Sequence, residues 1–79
     1  MTIQILGPGC QRCHALEQNA REALANSGVD AEVRKISDSD AISDFGVMMT
    51  PAIAIDGELK EQGRVLSAKQ IEAILSAQQ

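Results

Sequence analysis

The stretch from Thr2 to Ile36 constrains the fold more than any other part of this chain. Thr2 to Leu6 is short and β-rich, apolar at Ile3, Ile5 and Leu6. That run is too continuous for an exposed edge and reads as a central, buried strand. Gly7-Pro8-Gly9 breaks it. From Cys10 the apolar residues change to helical spacing: Cys13, Leu16, Ala20, Ala23 and Leu24 share one face, while Glu17, Gln18, Arg21 and Glu22 fall mostly elsewhere. Asn26-Ser27-Gly28 ends the helix near Ser27, with Gly28 as a left-handed cap. Val29 to Ile36 then alternates apolar and polar residues, which suits a strand with one wet face. A strand, a helix and a second strand in this order make a parallel pair joined by a right-handed crossover.

The joint between the first strand and the helix carries the chemistry. Cys10-Gln11-Arg12-Cys13-His14 contains both cysteines and the one histidine of the chain. Cysteines three residues apart in a first helical turn lie on one face, close enough for a disulfide with little backbone movement. A thiol at a helix N-terminus also faces unpaired N–H groups and the positive end of the helix dipole, and both favour the reactive thiolate. This geometry suits a redox pair. A buried apolar role would not need Gly-Pro-Gly ahead of the cysteines. A closed zinc site normally takes four ligands, and two Cys and one His would have to recruit carboxylates. The run Cys10-x-x-Cys13-His14 also matches the haem c attachment pattern.

Composition narrows these choices. The 79 residues are expected to form one domain, 1–79, with an aliphatic core, since Phe45 is the sole aromatic residue. A net charge of −4 without a basic cluster argues against nucleic acid and anionic membrane surfaces as partners. No apolar run approaches the ~18 residues of a membrane span. Met1 to Leu6 has neither a basic region nor a long apolar stretch, so no secretory signal is read there. A cytoplasmic, reducing location is therefore expected, where a lone cysteine pair is more often catalytic or metal-binding than structural. The same location argues against covalent haem.

Beyond Ile36, Ser37-Asp38-Ser39-Asp40 supplies N-cap residues for a short helix carrying Ile42 and Phe45 and closed by Gly46. Val47-Met48-Met49-Thr50-Pro51 is extended and apolar, and Ala52 to Ile55 reads as a third strand. One of the two methionines is expected in the core. Asp56-Gly57 signals a two-residue hairpin, returning through Glu58 to Glu61 as a fourth strand that Gly63 breaks. Ser67-x-x-Gln70 forms a capping box for a last helix with Ile71, Ile74 and Leu75 as its stripe. The expected fold is α/β, βαβαββα, a four-stranded mixed sheet of order 2-1-3-4 flanked by three helices. Cys10 then sits at the C-terminal end of a central strand, the sheet edge where α/β folds place ligands.

This order and these motifs resemble the thioredoxin-like superfamily, and within it the small redox-active disulfide proteins. The resemblance rests on Ile5-Leu6-Gly7-Pro8-Gly9-Cys10-Gln11-Arg12-Cys13, Gly46-Val47-Met48-Met49-Thr50-Pro51-Ala52, Ile55-Asp56-Gly57 and Gly63-Arg64-Val65. It implies that Cys10 is the attacking thiol and Cys13 the resolving one. It also implies that Pro51 is a cis-proline facing them, presenting the backbone of Thr50 to a substrate peptide. Two positions depart from the family: Gly9 stands where a Trp is usual, and Gln4 where a buried carboxylate is usual. A restricted set of clients follows, rather than broad reductase activity.

The reading is thus a monomeric thiol–disulfide oxidoreductase in an electron-transfer role. It acts on protein disulfide substrates and is served by an unidentified reductant. No cofactor, resident metal, nucleic acid or membrane partner is expected. Arg12 is expected to favour the Cys10 thiolate or to be a solvated arginine. His14, one turn on from Cys10, could stabilise a thiolate, hold a soft metal or lie idle on the surface. The alternative function is a soft-metal carrier for Cu(I), Zn or Hg using Cys10, Cys13 and His14.

Overall fold

The computed structural model describes residues 1–9 and 11–77. Its elements follow the order β1 (Thr2–Leu6), α1 (Gln11–Ser27), β2 (Glu32–Ile36), α2 (Ser39–Asp44), β3 (Ala52–Ile55), β4 (Glu58–Gln62) and α3 (Ala68–Ala77). They build one four-stranded sheet of order β2-β1-β3-β4. β1 pairs in parallel with β2 and antiparallel with β3, and β3 pairs antiparallel with β4. This is the α/β thioredoxin-like arrangement that the sequence predicts.

β1 is central because it is apolar toward both faces. Ile3 and Ile5 join Leu16, Ala20 and Ala23 of α1 and Ile71 and Leu75 of α3 in one cluster. Leu6 points the other way, into a smaller cluster with Ile42 of α2 and with Ala52 and Ala54. That alternation is the two-residue period of a strand. Ile3, Leu6, Leu16, Ile71 and Leu75 are each 0 % exposed, and burying such a side chain is worth about 1.5–3 kcal/mol. The alanines at 20 and 23 let α1 approach the sheet and α3 closely. Leu16→Ala should cost this face about 2–5 kcal/mol.

The ends of the elements follow local chemistry. The Asp38 side chain caps α2 by accepting from the Ala41 N–H at 3.1 Å. Ser67 and Gln70 bond reciprocally at the start of α3, at 2.9 and 3.2 Å. Asp56 and Gly57 both have positive φ, 51° and 86°, as a two-residue hairpin turn requires. Two expectations change. β2 begins at Glu32 rather than Val29, because β1 offers only Thr2 to Leu6 as partners and the register starts at Thr2↔Glu32. Glu17 is buried at 8 % exposure rather than lying on the wet side of α1. No helix among the described residues is long and apolar enough to cross a membrane.

Candidate active site

β1 ends at a tight junction. The Gly7 N–H donates to the Ile36 carbonyl at 2.9 Å, extending the parallel pairing by one residue. The chain then leaves through exposed Pro8 and Gly9, and α1 is formed from Gln11. Cys10 lies outside the described residues, so the expectation that it is the attacking thiol concerns a position they do not include. Cys13, in the first turn of α1, is 1 % exposed. Its Sγ fills the space above Gly7: a β-carbon there would overlap the sulfur, and would lie 3.3 Å from Cys13 Cβ and 3.8 Å from Thr50 Cβ. The end of β1, the first turn of α1 and the segment before β3 therefore meet at Gly7, where only glycine fits.

The segment before β3 is held from its other side. Its Thr50–Pro51 bond is cis. Pro51 is buried, and its carbonyl accepts from the Gly63 N–H at 2.8 Å. Thr50 is exposed and lies outside both ladders of β3. The Gln62 carboxamide oxygen, at the end of β4, accepts from the Met48 N–H at 2.7 Å and the Met49 N–H at 3.2 Å. Gly63 follows with φ +76°, and a β-carbon on it would stand 3.2 Å from both Cβ and Cε of Met49. A left-handed backbone strains any side chain there, and Met49 would have to shift by a few tenths of an ångström to admit one. Met48 and Met49 are 89 % and 62 % exposed. Neither packs in the core as expected: Gln62 holds their amides at the surface, and Phe45, Val47 and Leu59 flank the small cluster beneath.

The remaining expected residues separate. Arg12 is exposed, and its Nη2 donates to the Gly63 carbonyl at 3.0 Å, tying the first turn of α1 to the end of β4. His14 has a side chain 65 % exposed, with Nδ1 3.9 Å from Glu17 Oε1. Gln4 serves the far end of β1, where its Oε1 accepts from the Gly57 N–H at 3.2 Å. Glu17, one helical turn below Cys13, is the ionic centre of this flank. It accepts from Arg21 at 3.0 and 3.2 Å and lies 3.5 Å from Lys35 Nζ on β2. The Arg21 hydrogen bond, and after it the nearby Lys35 charge, hold its pKa below the ordinary 4.5 against the opposing effect of burial.

Glu17, Gln62 and Gly63 as a contact point were missed in the sequence. Gly63 left two signals, the break it makes after a strand and its place in Gly63-Arg64-Val65, one of the runs on which the family resemblance rests. Gln62 left none, since a glutamine at the end of a strand is ordinarily a solvated side chain.

A thioredoxin-domain family model matches residues 1–76. A thioredoxin of Methanothermobacter thermautotrophicus is 51 % identical over 76 residues, covering 96 % of this chain and 99 % of that protein. A thioredoxin of Methanocaldococcus jannaschii is 31 % identical over 77 residues, covering 98 % of this chain and 88 % of that one. A solved structure described as that of a malarial protein superposes with a TM-score of 0.71, covering 96 % of this chain and 93 % of that one. At 13 % identity it speaks to the fold alone. With the sheet order already in agreement, the match along nearly the whole chain shows that this protein belongs to the thioredoxin family.

Proposed function

We propose that this protein is a thiol–disulfide oxidoreductase that reduces or exchanges the disulfides of a restricted set of protein clients in the cytoplasm. One observation carries the assignment of roles: Cys13 is buried against Gly7. A sulfur so enclosed suits resolution from within and is poorly placed to meet a client. Cys10 then makes the first attack. Its thiolate displaces one sulfur of the client disulfide, forming a Cys10–client S–S bond and releasing a client thiolate that takes up a proton. The Cys13 thiolate next attacks Cys10, releasing the second client thiol and leaving a Cys10–Cys13 disulfide. Two electrons have passed to the client, and a dithiol donor must return them.

Thr50 is exposed, its Cβ lies by Gly7 and it stands outside the sheet ladders, a position that suits pairing of its backbone with an extended client segment. Gln4 and Gly9, where a carboxylate and a Trp are usual, support a narrow client range. Soft-metal carriage gains no support from His14, whose side chain is largely exposed, with Nδ1 3.9 Å from Glu17 Oε1.

The test is trapping. Reduced Cys13→Ser protein, mixed with a peptide disulfide, should retain one peptide on Cys10 by mass spectrometry, while Cys10→Ser retains none. Adducts forming equally well without Cys10 would overturn the assignment.

A further inference from the structure

The geometry points to Gln62 as the positioning residue for client recognition: its carboxamide oxygen, by accepting from the Met48 and Met49 N–H groups, fixes the exposed segment that meets an extended peptide. This rests on the oxidoreductase reading and names the residue that shapes its docking surface.

The segment has little else to hold it. Met48 is 89 % exposed and Met49 62 % exposed, and Thr50 belongs to neither ladder of β3. Two thioethers and a threonine facing water gain little from burial, so polar attachments must set where they stand. Among the described residues, the side chain that attaches the segment is Gln62, 14 residues along the chain from Met48 and 13 from Met49. Both bonds go to a single oxygen, so one group sets the position of two consecutive residues. Attachment of the next residues runs through the adjoining position: the Gly63 N–H holds the Pro51 carbonyl, and Met49 lies over the bare Cα of Gly63. The Gly63 carbonyl takes Arg12, one residue before Cys13. Gln62 and Gly63 therefore couple the peptide-facing segment to the helix turn that carries Cys13. Two methionines presented this way offer a polarisable, adaptable apolar surface. The client segment it fits is extended and carries an apolar side chain next to its cysteine.

The chemistry distinguishes this role from mere stability. An acceptor oxygen is what the site needs, and a glutamate supplies one as well as a glutamine does. Gln62→Glu should keep the attachment, whereas Gln62→Leu keeps the bulk and loses it. The probes are two disulfides: a decapeptide with a leucine beside a single cysteine capped by thionitrobenzoate, and 5,5′-dithiobis(2-nitrobenzoate), which has no peptide backbone. Each releases the same chromophore on attack by reduced protein.

In Gln62→Leu the peptide rate relative to the backbone-free disulfide should fall about tenfold, the scale of one or two net hydrogen bonds. The fall should appear as a higher half-saturation concentration, and Gln62→Glu should restore it. Amide exchange at Met48 and Met49 should accelerate by about tenfold or more in the leucine variant alone. Faster exchange with an unchanged peptide-to-small-disulfide ratio would overturn the recognition role while leaving the oxidoreductase reading intact. Unchanged exchange would overturn the attachment itself. A wild-type protein that attacks neither disulfide would overturn both readings, and the wild-type arm alone reveals it.

Discussion

The sulfur of Cys13 occupies the space that a β-carbon on Gly7 would need. Strand end and helix start are packed so closely that one hydrogen atom is the largest side chain the contact admits. The backbone of Gly7 meanwhile continues the β1–β2 pairing through its bond to Ile36, so the glycine cannot simply back away.

Gly7→Ala should therefore lower stability by overpacking, by about 1–3 kcal/mol, and should displace the first turn of α1. Urea unfolding gives the first quantity. A change in the alkylation rate of Cys13 in the folded protein reads the second. Alanine tolerated at no cost would contradict the contact.

Arg12 links that same turn to the end of β4 through the Gly63 carbonyl at 3.0 Å. Arg12→Met keeps the aliphatic stem and removes the donor. Both partners are near solvent, so the expected loss is only about 0.5–1.5 kcal/mol. Thermal unfolding checks this, and Arg12→Lys should recover part of it.

Glu17 predicts an acid-sensitive term. Its folded pKa is depressed below the ordinary 4.5, so its contribution is fully present above about that pH. It is lost as the pH falls through the folded value, because the unfolded chain then binds more protons than the folded one. Arg21 and Lys35 are themselves about half exposed, and solvent screening keeps the term near ~1 kcal/mol. Glu17→Gln should be less stable at neutral pH by about that amount and should lose less stability below pH 4.5. Parallel pH profiles for wild type and variant would contradict the argument.

Zinc binding to the reduced protein should be weak. Among the described residues no three His, Cys, Asp or Glu side chains are grouped to hold a metal ion, and closed sites hold about four ligands. Competition against a chelator measures it. A one-to-one complex of nanomolar affinity or better, about −12 kcal/mol, would favour metal carriage instead.

What the sequence alone determined is what depends on near neighbours. The buried run Ile3 to Leu6, the helical spacing from Cys13 to Leu24, the Asp56-Gly57 turn and the Ser67–Gln70 cap each follow from residues within a few positions of one another. Together with the handedness of the crossover, they leave one simple order for four strands. The place of Cys13 in the first turn of α1 was legible too, as a matter of helical spacing after a glycine break, while Cys10 lies outside the described residues. Tertiary structure decided the contacts made across long stretches of chain. Arg12 finds Gly63 51 residues away, and Gln62 finds Met48 across 14. Glu17 departs from its expected wet face because Lys35, on the neighbouring edge strand, reaches it. Helical periodicity places a side chain on a face, but which partner waits there is set only when that face meets another element. A polar residue with a waiting cation or amide is then held in place where the sequence pattern would leave it in water.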